Sequence, residues 1–99
     1  MPATDPPNSG ASLARDVEVI NQYGIHARPA ALLVKTASSF ASDISIEKDG
    51  VSVSAKSIMG LLTLEGSQGT RLRLTATGPD AAEALDALAD LFAQKFFED

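Results

Sequence analysis

The 99-residue sequence has no cysteine and no tryptophan, and it carries one histidine and one tyrosine. Without cysteine there is no disulfide, no thiolate nucleophile and no sulfur ligand. A single histidine cannot build a structural zinc site either, so no metal or cofactor is expected. Lack of cysteine also fits a reducing compartment. No apolar run is long enough to span a bilayer, and MPATDPPNSGAS has neither the basic start nor the apolar core of a signal peptide. A cytoplasmic protein is expected. Bases are scarce as well: eight Lys and Arg stand against thirteen Asp and Glu, a net charge of −5. An acidic chain without a basic stripe is a poor candidate for nucleic acid. The motifs of common catalysts are missing too. There is no G-x-S-x-G elbow, no Walker A loop and no G-x-G-x-x-G. Gly66-Ser67-Gln68-Gly69 has the form of an RNA-binding G-x-x-G, yet it precedes a strand pattern instead of joining two helices.

What remains is enough for one small domain with one core. Residues 1–12, rich in Pro, Ser and Gly, read as a disordered tail, and residues 13–99 as the domain. Leu13–Asn21 alternates, with Arg15, Val17 and Val19 on one face, as a half-buried strand does. From Ala27 to about Ser39, Ala30, Leu33, Val34 and Ala37 follow helical spacing, with His26 at the N-cap and Pro29 in the first turn. Asp43–Lys48 and Val51–Ala55 read as strands joined by the hairpin signal Asp49-Gly50, with Val51, Val53 and Ala55 inward. Ser57 is placed to cap a short helix. Thr70–Thr77 is a fourth strand with Leu72, Leu74 and Ala76 inward, stopped by Gly78-Pro79. Asp80 and Glu83 have capping-box form. The last helix follows, its stripe running through Ala81, Ala84, Leu85, Leu88, Leu91, Phe92 and Phe96. The order β-α-β-β-α-β-α predicts an α+β fold, with helices on one face of a mostly antiparallel sheet.

Two stretches stand out chemically. The first is Gly24-Ile25-His26-Ala27-Arg28-Pro29-Ala30. A histidine at a helix start is more often a cap or a packed loop residue than a reactive group. Here, however, Gly24 permits an open loop, and Ala27 and Arg28 leave two amides free at the helix start. Arg28 can reach back toward the ring, and no carboxylate lies nearby in sequence. A helix N-terminus disfavours an imidazolium and favours an attached anion, so the ring is suited to accept a phosphoryl group. A hydrolase using His26 as general base finds no supporting second residue. The second stretch is Lys56-Ser57-Ile58-Met59-Gly60-Leu61-Leu62, with more apolar side chains than one helical turn can bury. The surplus reads as a docking surface with Ser57 at its edge, where a phosphate would change the charge a partner meets. Residues 24–42 and 50–64 contain no acid, whereas from Pro79 onward six acids stand against Lys95 alone.

These residues resemble the histidine-containing phosphocarrier family, HPr, of the phosphoenolpyruvate-dependent phosphotransferase system. Gly24 to Ala30 matches the family's active-site motif, and Ala55 to Gly60 its regulatory-serine motif. Gln68-Gly69-Thr70 and the Thr77-Gly78 turn also correspond, and the likeness covers roughly Leu13 to Phe97. It implies an open-faced β-sandwich, four antiparallel strands with three helices on one face. It implies a carrier, not an enzyme, in which His26 takes a phosphoryl group on Nδ1 from Enzyme I. The group then passes to an Enzyme IIA-type protein, with Arg28 and the Ala27 and Arg28 amides steadying it. Ser57 matches the serine modified by HPr kinase/phosphorylase in many relatives, and Ile58, Met59 and Leu62 match the docking surface. A monomer is expected. Residues 76–92 resemble the nitrogen-regulatory branch, NPr, whereas Lys56 to Gly60 resembles the Gram-positive sugar branch, and Glu65-Gly66 replaces the more usual Gly-Leu. A regulatory role acting through phosphorylation-dependent partner binding is therefore the alternative to sugar transport.

Overall fold

Alternation is the strongest organiser. In β4 (Arg71–Thr77) Leu72, Leu74 and Ala76 are buried while Arg71 and Arg73 are exposed, the pattern of a strand with one face on a core. A computed structural model describes residues 12–98 and places β4 inside a four-stranded sheet of order β1-β4-β2-β3, antiparallel throughout. The tail expected over residues 1–12 lies outside the described residues except for Ser12, which opens β1 (Ser12–Glu18). The other strands are β2 (Asp43–Lys48) and β3 (Val51–Ser54). Register carries the sidedness across the sheet. Arg15, Leu74, Ile46 and Val53 form one cross-strand row, and Asp16, Arg73 and Glu47 form a row on the opposite face.

Three helices cover the apolar face: α1 (Ala27–Ala37), α2 (Ile58–Thr63) and α3 (Ala81–Ala93). The fold is the α+β arrangement expected, with its element order intact. Ala30, Leu33 and Ala37 of α1 are buried, as is the whole α3 stripe, and the core joins them to the inward residues of β2 and β4. The uncovered face stays polar, with Arg73 Nε donating to Asp16 at 3.0 Å.

Some expectations are corrected. Val51, expected inward, is exposed because β3 is an edge strand and Val51 sits at its outer end, opposite Lys48, in an open groove beside the C-terminal end of α2. β1 is the other edge, and of its apolar residues Val17 is partly buried while Leu13 is exposed; Val19, just past it, is fully buried. The capping box does not form. Asp80 stands at the N-cap of α3 without a side-chain cap bond. Its carboxylate instead accepts the Ala41 and Ser42 amides at 2.8 and 2.9 Å and the Ser42 hydroxyl. It thus ties the α1–β2 loop to the β4–α3 turn. The last helix ends at Ala93, and Phe96 reaches the core from a separate turn, Lys95–Phe97, whose three residues all have positive φ.

Candidate functional site

The loop before α1 is shaped by one glycine. Gly24 has φ +67, and a Cβ there would lie 2.2 Å from the Gly66 carbonyl oxygen. That close approach lets the Ile25 N–H donate to Gly66 at 2.9 Å. Ile25 is buried, and the chain emerges at His26 with φ −95 and ψ −166, an extended N-cap geometry. The His26 side chain makes no cap bond; it points outward and is 43% exposed. The first helical bond runs from Ala30 N–H to His26 C=O, which leaves the Ala27 and Arg28 amides ahead of the ladder. Pro29, third in α1, has no N–H to leave unpaired and is buried. Lys35 in the last turn complements the opposite end of the helix dipole.

A carboxylate that is remote in sequence completes the site. Glu98 Oε2 lies 2.8 Å from His26 Nε2 although the residues are 72 positions apart. Its other oxygen accepts from Asn21 Nδ2 at 3.0 Å, and the same amide nitrogen donates to Gly24 C=O at 2.8 Å. Arg28 does not reach the ring. Nη1 donates to the Phe96 carbonyl at 2.8 Å and stands 3.6 Å from Glu98 Oε2. Tyr23, 70% exposed, meets the His26 ring edge-on at a centroid distance of 6.2 Å. Partial burial disfavours the charged Glu98 carboxyl. The Asn21 and His26 hydrogen bonds, with the neighbouring His26 and Arg28, outweigh it and hold the group below its usual range.

Holding Glu98 there is costly. Lys95, Phe96 and Phe97 have φ of 55, 53 and 61, and a left-handed non-glycine residue costs about 1–2 kcal/mol. Burial of the Phe96 ring edge-on against Phe92, with centroids 4.9 Å apart and planes at 68°, offsets that strain. Asn21 is buried and its Oδ1 has no partner among the described residues, a cost on the order of 1–3 kcal/mol. Because Nδ2 donates to two oxygens, the amide cannot gain by flipping. Glu98 had no local signal in the sequence, since what defines it is a contact that only the turn after α3 creates; Asn21 has one local bond, to Gly24 three residues on, but its tie to Glu98 depends on the same turn.

The second predicted stretch is arranged as its spacing suggests. Ser57 Oγ accepts the Gly60 amide at 3.0 Å and caps α2. Leu61 is buried, while Ile58 and Leu62 are partly exposed and Met59 is 74% exposed. α2 packs against α1. The His26 loop is bonded to Gly66, beyond the C-terminal end of α2. Ser57 is at the other end of that helix, which is about 9 Å long. A surface depression on the uncovered sheet face, lined by Ser45, Ser52, Ser54, Lys56 and Thr75 among others, does not involve His26.

In a small antiparallel α+β domain, an exposed histidine at the N-cap of a helix, with an arginine in the first turn of that helix, is an arrangement suited to the class of phosphoryl carriers. The chain is a member of the HPr family of the phosphotransferase system: residues 13–94 match the family model for the PTS HPr component phosphorylation site. It is 45% identical over 87 residues to the phosphocarrier protein HPr of Treponema pallidum, covering 88% of this chain and 99% of that relative. Among solved structures, HPr-C-His from Thermoanaerobacter tengcongensis superposes with a TM-score of 0.85 at 50% identity, covering 88% of this chain and 98% of that one. The Bacillus subtilis protein Crh, described as an HPr-like catabolite-repression protein, is 55% identical over 73 residues, covering 74% and 86% of the two chains. Its crystal structure, a domain-swapped dimer, superposes with a TM-score of 0.66 at 51% identity, covering 80% and 90%.

Proposed function

We propose that this protein carries a phosphoryl group on His26 Nδ1, received from Enzyme I of the phosphotransferase system and delivered to an Enzyme IIA-type protein. The observation that carries this reading is the exposed His26 ring at the start of α1 in a chain of the HPr family. A carrier must enter two active sites in turn, so its histidine is open and its phosphate contacts are few. Here they are the Ala27 and Arg28 amides and the Arg28 guanidinium, which swings from the Phe96 carbonyl to the phosphoryl oxygens. Strong binding would trap the group. In transfer, the Nδ1 lone pair forms the new N–P bond while the donor's P–N bond breaks and its electron pair stays on the donor. The protein is consumed and regenerated in each cycle, which makes it a carrier and not a catalyst. It works as a cytoplasmic monomer, docking through Ile58, Met59 and Leu62. No helix among the described residues is long and apolar enough to cross a membrane.

Ser57 is the regulatory phosphorylation site of this reading, for an HPr kinase/phosphorylase where one is present. Its hydroxyl caps a helix whose exposed side chains are the docking surface. A phosphate there places charge where a partner must close, without touching His26 directly. The likeness to Crh favours a second reading, a regulator acting mainly through phosphorylation-dependent partner binding. One experiment decides between them. Enzyme I with phosphoenolpyruvate labels the wild-type chain in an acid-labile form, and His26→Ala abolishes the label. Labelling that persists in His26→Ala sinks the carrier reading; labelling that never occurs favours the regulator.

A further inference from the structure

We propose that Glu98 is the positioning residue of His26: its carboxylate accepts the Nε2 hydrogen and so leaves Nδ1 as the nitrogen with a free lone pair. This deepens the carrier reading and rests on it for its consequence. A carboxylate is an acceptor only, so a contact of 2.8 Å to Nε2 requires the ring hydrogen to be on Nε2. A neutral imidazole carries one hydrogen, and its second nitrogen is then a bare nucleophile. The two nitrogens of His26 are therefore made unequal before any donor arrives.

The carboxylate is held for this task from several sides. Asn21, buried, binds Glu98 Oε1 and the Gly24 carbonyl with the same amide nitrogen, so the His26 loop and the Glu98 segment share one anchor. Arg28 binds the Phe96 carbonyl and stands beside Oε2. The left-handed turn Lys95–Phe97 returns the chain toward α1, and the Glu98 side chain is only 16% exposed. Strained backbone and an orphaned buried acceptor converging on one carboxylate mark it as a built feature.

The contact also serves the transfer step. When Nδ1 takes the phosphoryl group, Nε2 keeps its hydrogen and the ring becomes cationic, beside a carboxylate already in place. When the group leaves, the N–P electron pair returns to Nδ1 and the ring is neutral again. Glu98 thus holds a proton's position without exchanging it, acting through His26 and never on the phosphorus.

Imidazole nitrogen NMR on the unphosphorylated protein tests the proposal. In the wild type, Nε2 gives a protonated, pyrrole-type signal and Nδ1 a pyridine-type signal. In Glu98→Ala the ring relaxes toward a mixture of tautomers, and phosphoryl uptake from Enzyme I falls about tenfold, the lower end of what losing a histidine's orienting partner costs at metal sites. Glu98→Gln, which keeps an acceptor oxygen, recovers part of both, and the backbone amide spectrum of each variant checks that the fold is intact. A pyrrole-type Nδ1 in the wild type overturns the proposal, as does an unchanged ring spectrum in Glu98→Ala, whatever happens to uptake. The ring spectrum needs no donor. A wild-type chain with the expected tautomer that takes no phosphoryl group from Enzyme I therefore refutes the carrier reading and leaves the Glu98 assignment standing.

Discussion

Replacing Gly24 with alanine tests the loop that presents His26. The new Cβ would stand 2.2 Å from the Gly66 oxygen, at a φ of +67. A left-handed alanine costs about 1–2 kcal/mol, and lower entropy of the unfolded chain returns about 0.4–1 kcal/mol. A 2.2 Å contact with backbone cannot persist, so one segment must move. The Ile25–Gly66 hydrogen bond then goes with it, about 1 kcal/mol net. Ile25 packs on Gly66, so its buried side chain shifts as well. The sum is about 2–3 kcal/mol, a large share of the roughly 5–15 kcal/mol that holds a domain of this size. It corresponds to a Tm lower by about 10–20 °C. Gly50→Ala is the control. Gly50 has φ +84 in the β2–β3 hairpin, with nothing within 4 Å of where the alanine methyl would stand, so only the strain applies. Its net cost is about 0.5–1 kcal/mol. Urea unfolding followed by far-ultraviolet circular dichroism reads both, since the chain has no tryptophan. If Gly24→Ala costs no more than Gly50→Ala, the close approach of the His26 loop to Gly66 is not what fixes that loop.

Further outcomes follow from single contacts. Ser57→Ala removes the cap of α2 and lowers stability by about 1 kcal/mol in the same assay. Ser57→Asp leaves the fold intact and slows phosphoryl uptake at His26, read by the rate of label incorporation. Asp80 has its pKa lowered from 3.8, chiefly by the Ser42 hydroxyl and also by the Ala41 amide, so its stabilisation is complete above that value and is lost as pH falls through the lower folded value. Asp80→Asn is therefore less stable than wild type at neutral pH, and the two unfolding midpoints converge as pH drops well below 3.8. Phe96→Ala empties a fully buried site and costs about 3–5 kcal/mol by urea unfolding.

Much of the fold was legible because its signals are local. The Leu72, Leu74 and Ala76 alternation needs only the two-residue period of a strand, and the α3 stripe only the helical period. Asp49-Gly50 has the two positive φ angles that a tight hairpin requires, and Ser57 finds its partner three residues away. The misreadings share the opposite property. Asp80-x-x-Glu83 is a good cap on paper, yet the Asp80 carboxylate finds two amides and a hydroxyl 38 or 39 residues away and prefers them. Val51 alternates correctly, but alternation says nothing about whether a strand end lies under a helix or beside one.

The site divides in the same way. The sequence by itself determined that His26 would open a helix with two free amides, because Pro29, the glycine before it and the apolar period after it act within a few residues. It also determined that α2 would leave a methionine in solvent, because six residues cannot bury four large side chains. Only the tertiary structure decided what faces the imidazole. Glu98 is one of the six acids that follow Pro79, and nothing near it in sequence pairs it with His26. The turn at Lys95–Phe97, unfavourable locally and stable only with Phe96 in the core, turns the chain back and sets that carboxylate against His26 Nε2. A conformation that costs energy locally and is repaid by burial has no signature in local propensity, which is why this half of the site had to come from the fold.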